Sequence, residues 1–190
     1  MDNTLPLIYL TIDDNDEAGV EAVALVDNPA IERQWMAFKE TKAHSFEITN
    51  EEKRIISGPL MLADYPIYRK DEDGKEYYVV FNAETIRKIV YKYMREGRTN
   101  SVNEMHETSL EGVFMFESFI IDERKKTPKG YEELTEGSWF GSFRVENDLV
   151  WEQVKSGDYK GFSVEGLFTE DKEIAINREI IEAIVDELKG

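Results

Sequence analysis

Ser163 stands in the middle of the apolar run YKGFSVEGLF, residues 159 to 168. A serine hydroxyl is a poor nucleophile until a histidine accepts its proton and a carboxylate orients that histidine. If the run is a β-strand, alternation places Ser163 and Glu165 on one face, with Gly161 and Gly166 flanking the serine. Such glycines let a substrate backbone approach closely, but they are equally typical of a bend or bulge in an ordinary packed strand. The run lacks the G-x-S-x-G pattern of the nucleophile elbow.

The histidine that would activate this serine must be one of the two in the chain, His44 and His106. His44, in KAHSFEI, has no notable neighbours and is interpreted as a surface residue at the edge of a strand. His106 lies in the polar segment NSVNEMHETSLEG, directly before an apolar strand. It is the candidate general base, and the alternative interpretation is an ordinary loop histidine. No second histidine stands at metal-ligand spacing and no glycine-rich phosphate loop occurs, so the sequence predicts neither a metal nor a cofactor.

Glu117 is the candidate for the carboxylate. It lies in VFMFESFIID, a predicted strand that carries apolar residues on both faces. A carboxylate in such a strand is costly to bury unless it is paired or hydrogen-bonded, so Glu117 needs a partner. His106 is one candidate partner, reached if the intervening chain folds back. The alternative partners are arginines: Arg54, Arg87 and Arg144.

Composition narrows the function classes. The 190 residues include 40 acidic and 23 basic side chains, for a formal net charge of −17, which disfavours binding to nucleic acid. The absence of cysteine excludes disulfides, thiolate zinc sites and a cysteine nucleophile. Neither a signal peptide nor an apolar run of membrane-spanning length is visible, so we expect a soluble protein that does not contact membranes and is located inside the cell.

Many short strands and few helices are predicted. The segment NAETIRKIVYKYMREG is the clearest helix, capped by Asn82 and ended by Gly97, and DLVWEQVKSGD is a shorter one that Asn147 or Asp148 caps. The final segment, EIAINREIIEAIVDELKG, is predicted to be a third helix. DEDGK is predicted to be a hairpin tip, and RKKTPKGYEELTEG a surface loop.

These elements predict an α+β fold, a mostly antiparallel, barrel-like sheet with packed helices. At this length one domain is expected. We place that domain at residues 1–170, followed by a C-terminal helix over 171–190 that packs on the domain or on a partner.

Several segments in order resemble the XkdF-type prohead protease family of tailed phages. They are VALVDNPAI, ISGPLMLADYPIYR, EMHE followed by FESFIID, and GSWFGSFRVENDLVWEQVKSGDYKGFSVEGLF. The resemblance extends over residues 5 to 170 and is most specific from residue 128 to 168. The family is similar in fold to the herpesvirus assemblins, whose protease domain is a β-barrel surrounded by helices.

The resemblance implies a serine endopeptidase that acts within the phage procapsid, in the host cytoplasm. It implies the scaffolding protein and the major capsid protein precursor as partners and substrates, together with self-association and self-cleavage. Ser163 would be the nucleophile and His106 the general base, with Glu117, in the family's ES position, as the orienting acid and Glu165 as the alternative. The competing hypothesis is a capsid-assembly or scaffold-binding module of the same fold without catalysis.

Overall fold

The computed structural model describes residues 4–12, 18–27, 45–71, 73–132 and 134–188. His44, the other histidine of the chain, lies outside these ranges.

The described residues form twelve strands and three α-helices. The strands are β1 (Thr4–Thr11), β2 (Gly19–Val26), β3 (Glu47–Asn50), β4 (Ile55–Met61), β5 (Ile67–Lys70), β6 (Glu76–Val80), β7 (Val102–Glu104), β8 (Thr108–Ser109), β9 (Val113–Ile120), β10 (Trp139–Val145), β11 (Gly161–Leu167) and β12 (Thr169–Asn177). The helices are α1 (Ala83–Arg95), α2 (Asp148–Ser156) and α3 (Arg178–Leu188).

The prediction of a closed, barrel-like sheet is wrong. Within the described ranges the strands form three open four-stranded sheets, ordered β12–β1–β6–β5, β3–β4–β10–β9 and β11–β2–β7–β8. Pairing is mostly antiparallel, as expected, with parallel pairs at β1–β6 and β2–β7. The barrel prediction failed because strands far apart in the chain pair with each other. The N-terminal strands β1 and β2 pair with β12 and β11, which splits the strands among three sheets.

Local capping chemistry explains where the first two helices begin. The Asn82 side chain accepts a hydrogen bond from the Thr85 amide, and Asn147 accepts from Leu149 and Val150. Each asparagine thereby satisfies amides that have no partner within the helix. Both predicted caps are confirmed. Among the described residues, none of the helices is long and apolar enough to span a bilayer.

The third helix begins at Arg178, later than the sequence pattern suggested. Residues 169–177 form β12 instead, which pairs antiparallel with β1 along its whole length. Ile174 and Ile176 alternate at the strand period and lie opposite Leu7 and Leu5. Both isoleucines pack against a small apolar cluster formed by β1, β6 and α3.

The largest apolar cluster lies beneath the sheet β11–β2–β7–β8. It joins Val23 and Leu25 of β2 to Ile86 and Ile89 of α1 and to Phe143 of β10. All five side chains are fully buried. Burying each aliphatic side chain stabilises the fold by about 1.5–3 kcal/mol, so this cluster anchors the sheet to α1 and β10.

Candidate functional site

Strand β11 carries two of the predicted site residues on one face. Ser163 lies opposite Ala24 of β2, and Glu165 lies opposite Ala22. Because residues two apart in a strand point the same way, the serine hydroxyl and the carboxylate share a face, as the sequence pattern indicated. Both residues are half-buried.

A row of side chains continues from Ser163 across the sheet. Ala24 pairs with Ser163 on one side and with Asn103 of β7 on the other, and Asn103 pairs in turn with Ser109 of β8. Two strand spacings separate the Cα atoms of Ser163 and Asn103 by roughly 10 Å. The intervening residues of β2 on this face are alanines, so the long Glu165 side chain can reach across β2.

His106 is held in the turn that joins β7 to β8. The turn consists of residues 104–107, closed by a 2.8 Å hydrogen bond from the Glu107 amide to the Glu104 carbonyl. Its central residues, Met105 and His106, have φ angles of 49° and 64°. A type I′ turn requires positive φ at both central positions and favours asparagine and glycine there, so this pair is strained.

Glu165 and Asn103 meet His106 on this face of the sheet. The Nδ1 atom of His106 lies 3.5 Å from Oε2 of Glu165. Asn103 Nδ2 donates a 2.7 Å hydrogen bond to the same carboxylate oxygen, and Asn103 Oδ1 accepts from the His106 amide at 3.2 Å. The His106 and Glu165 side chains are 31% and 44% exposed, so a substrate can reach them from solvent.

Glu117 lies elsewhere, in the sheet β3–β4–β10–β9. Its Oε2 accepts a 3.0 Å hydrogen bond from Ser142, and its Oε1 is 3.8 Å from Lys125 Nζ. The expectation that Glu117 is buried among apolar side chains is wrong, since its side chain is 46% exposed. A register shift opposite Ser142 and Phe143 leaves Phe116 as an extra residue in β9, and this bulge breaks the assumed alternation. The structure therefore pairs His106 with Glu165, the alternative acid, and Glu117 with other groups.

Gly166 has a structural reason to be glycine. A register shift places Glu165 opposite Ala22 but Gly166 opposite Val20, so Glu21 is an extra residue in β2. A Cβ atom on Gly166 would lie 2.0 Å from the carbonyl oxygen of Gly19. The glycine marks a bulge, one of the two interpretations that the sequence left open.

A buried tyrosine ties the turn to the start of β11. The Tyr159 hydroxyl donates a 2.5 Å hydrogen bond to Oε1 of Glu104, the first residue of the turn. Burial and this carboxylate raise the pKa of Tyr159 well above its usual value, so the phenol remains a donor at neutral pH. The two segments that carry His106 and Ser163 are thus held together from behind the site.

Asn103 is the residue of this cluster that the sequence pattern did not single out. It lies three positions before His106, but its contact with Glu165 joins residues 62 apart in the chain. No signal in the sequence marked it, because Asn103 is one of many polar residues in the segment NSVNEMHETSLEG. Within the described ranges, no three metal-ligating side chains converge on a point.

Comparison with known proteins decides the family. Residues 46–173 match the model of a family described as "Putative phage serine protease XkdF". The chain belongs to this XkdF family. The matched segment contains His106, Ser163 and both candidate acids.

The XkdF family match agrees with a curated relative. The "Phage-like element PBSX protein XkdF" of Bacillus subtilis (strain 168) is 27% identical over 157 residues, which are 78% of this chain and 52% of the relative. The chain thus spans about half the length of that protein. The predicted XkdF resemblance is confirmed. No solved structure matches the chain, and the assemblin-like fold expected from the resemblance has no support.

Proposed function

We propose that this protein is a serine endopeptidase of phage procapsid maturation, which cleaves the scaffolding protein, the capsid protein precursor or both, and also itself. The observation that carries the proposal is the contact between His106 and Glu165 on the sheet face that presents Ser163. A serine, a histidine and a carboxylate on one face are the groups that acyl transfer requires. Membership of the XkdF family supports the same chemistry.

In the proposed mechanism, each ring nitrogen of His106 has a separate task. Glu165 lies at Nδ1, where its carboxylate favours the Nδ1–H tautomer and stabilises the imidazolium that forms during the reaction. Nε2 is then free to take the Ser163 proton as the serine oxygen attacks the scissile carbonyl carbon. His106 next gives that proton to the leaving amine, and water hydrolyses the acyl-enzyme.

Substrate binding has to complete this arrangement. In the described part of the chain, His106 and Ser163 make no hydrogen bond to each other, and His106 is held through its amide and Nδ1. Catalytic hydrogen bonds are often long in a free enzyme and tighten only when substrate is bound. The half-buried His106 ring is therefore expected to approach the serine in the complex.

The proposal is tested by co-expressing the protein with the scaffolding protein and capsid precursor of the same phage, and by labelling with a fluorophosphonate. The Ser163 oxygen would attack phosphorus and displace fluoride, with the proton passing to His106. Wild type should cleave a precursor and take up one label, whereas Ser163→Ala and His106→Ala should do neither. The matched control is Ser109→Ala, an exposed serine of the same row that should behave as wild type.

Two outcomes would contradict the proposal. Cleavage and labelling that persist in Ser163→Ala would remove this serine from the mechanism. Stable binding of the scaffolding protein by a wild-type chain that neither cleaves nor takes up label would favour the competing hypothesis, a scaffold-binding module.

A further inference from the structure

Asn103 contacts both groups that would activate Ser163. Its amide nitrogen donates to Oε2 of Glu165, and its amide oxygen accepts from the backbone N–H of His106. We propose that Asn103 is a positioning residue that places the acid and the base of this site relative to each other. The proposal rests on the proposed function, because it assigns a role in the activation of Ser163.

The orientation of the Asn103 amide follows from its partners. A carboxylate can only accept a hydrogen bond and a backbone N–H can only donate one. The amide must therefore present its NH2 group to Glu165 and its oxygen to His106. Aspartate has no NH2 group to donate, and alanine has neither end, so both contacts together require an amide at position 103.

The side-chain NH2 group of Asn103 holds the Glu165 carboxylate in place. The Glu165 side chain crosses the alanines of β2, which offer it no polar anchor. Its Oε2 atom receives the Asn103 hydrogen bond and is the same atom that lies nearest to His106 Nδ1. A flexible, half-exposed glutamate is held beside the imidazole by this one neutral donor.

The side-chain oxygen of Asn103 holds the backbone of His106, the proposed base, in place. Met105 and His106 both occupy the left-handed region, which is costly for residues with a Cβ atom. Three hydrogen bonds hold the turn. The Met105 amide donates to the Leu25 carbonyl, and the Glu107 amide donates to the Glu104 carbonyl. The third is donated by the His106 amide to the Asn103 side chain. The side-chain bond is the one that acts on the catalytic histidine itself.

Two substitutions at position 103 distinguish the contribution of the hydrogen-bond donor of Asn103 from that of its acceptor. Asn103→Ala removes both contacts, whereas Asn103→Asp keeps an acceptor for the His106 amide, loses the donor and sets a second carboxylate against Glu165. The matched control is Asn100→Ala, an exposed asparagine in the short 3-10 turn before β7. Far-ultraviolet circular dichroism and the urea midpoint establish that each variant is folded.

Three measurements are made on the full chain. The first is the rate of fluorophosphonate labelling of Ser163. The second is the tautomer of the His106 ring at pH 9, read from imidazole 15N shifts and assigned with the His44→Gln variant. The third is the hydrogen-exchange protection of the His106 amide.

We expect Asn103→Ala to label about tenfold to a hundredfold more slowly than wild type, since misplacement of a catalytic group by about 1 Å costs up to about a hundredfold. It should also shift the ring towards the Nε2–H tautomer and lose His106 amide protection. Asn103→Asp should retain the protection, lose the tautomer preference and label slowly. Asn100→Ala should match wild type in all three measurements.

The proposal is overturned if Asn103→Ala labels within twofold of wild type with the same tautomer and protection. If wild type takes up no label, the proposed function fails, but tautomer and protection still decide whether Asn103 positions the two groups. If Asn103→Ala does not fold, Asn103→Asp, which has nearly the same volume, decides it: an unchanged tautomer and labelling rate would refute the proposal.

Discussion

Nδ1 of His106 lies 3.5 Å from Oε2 of Glu165, although the two residues are 59 positions apart in the chain. Glu165 is on β11 and His106 is in the turn after β7, and β2 lies between these two strands. The contact forms on the sheet face that also presents Ser163. It is possible because the residues of β2 that lie between Glu165 and the His106 turn on this face, Ala22 and Ala24, have small side chains. The arrangement places Glu165 next to the His106 ring, whereas Glu117 contacts Ser142 and Lys125.

The two candidate acids are distinguished by matched substitutions. Glu165→Gln removes the charge beside the imidazole, so fluorophosphonate labelling of Ser163 should slow by about a hundredfold to ten-thousandfold. Glu117→Gln should label within about twofold of wild type, because Glu117 contacts Ser142 and Lys125 in another sheet. The measurement is the second-order labelling rate at pH 7.5. The reverse order of effects would restore Glu117 as the acid.

Strain in the turn predicts an unusual ranking of two variants at position 106. His106 has a φ of 64°, a conformation that costs a residue with a Cβ atom about 1–2 kcal/mol. His106→Gly should therefore be more stable to urea than His106→Ala by about 1 kcal/mol, with an unchanged m value. At ordinary positions glycine is the less stable of the two. Equal stability, or a more stable alanine variant, would show that the turn is not strained.

Glu76 links α3 to the sheet β12–β1–β6–β5 and makes stability depend on pH. Hydrogen bonds from the Tyr68 hydroxyl and from Arg178 lower the pKa of Glu76 below its ordinary value of 4.5. Because the folded state favours the carboxylate, this contribution is present above the ordinary pKa and is lost as pH falls through the lowered value.

Urea unfolding at several pH values tests this linkage. Glu76→Gln should be less stable than wild type at pH 7, and the gap should narrow as pH falls below about 4.5. Tyr68→Phe removes one of the two hydrogen-bond donors to Glu76, so its stability at pH 7 should lie between those of wild type and Glu76→Gln. A gap that stays constant from pH 7 to pH 3 would show that ionisation of Glu76 does not contribute to stability.

Features that depend on neighbouring residues could be predicted from this sequence, whereas the pairing of strands distant in the chain could not. Asn82 and Asn147 cap helices through amides two or three residues away, and the DEDGK tip joins β5 to β6, so both features follow from neighbouring residues. The common face of Ser163 and Glu165 follows from the strand period. These predictions needed no knowledge of which strands are adjacent.

The predictions that failed depended on neighbours distant in the chain. The bulge at Phe116 turns Glu117 towards solvent, and only the register with β10 reveals it. The described part of RKKTPKGYEELTEG contains no helix or strand, in agreement with the predicted loop, but Tyr131 and Leu134 within it are buried against Phe140 and Ile121. The contact of Glu165 with His106 depends on β2 lying between β7 and β11, an arrangement that residue periodicity does not encode.

The C-terminal helix supplies the last prediction, because its two neighbouring isoleucines face opposite environments. Ile181 is fully buried in the cluster with Leu5, Leu7 and Val80, whereas Ile180 is 55% exposed. Ile181→Ala should lower the free energy of unfolding by about 2–5 kcal/mol, since it leaves a cavity. Ile180→Ala should change it by less than about 0.5 kcal/mol.

Chemical denaturation of both variants measures the difference directly. If α3 is an integral part of the fold, the loss in Ile181→Ala will appear in the same cooperative transition that unfolds the sheets. Equal and small effects in the two variants would instead mean that α3 contributes little to stability and could be removed without unfolding the protein. Because β12 pairs with β1 along its whole length, we expect the cooperative result.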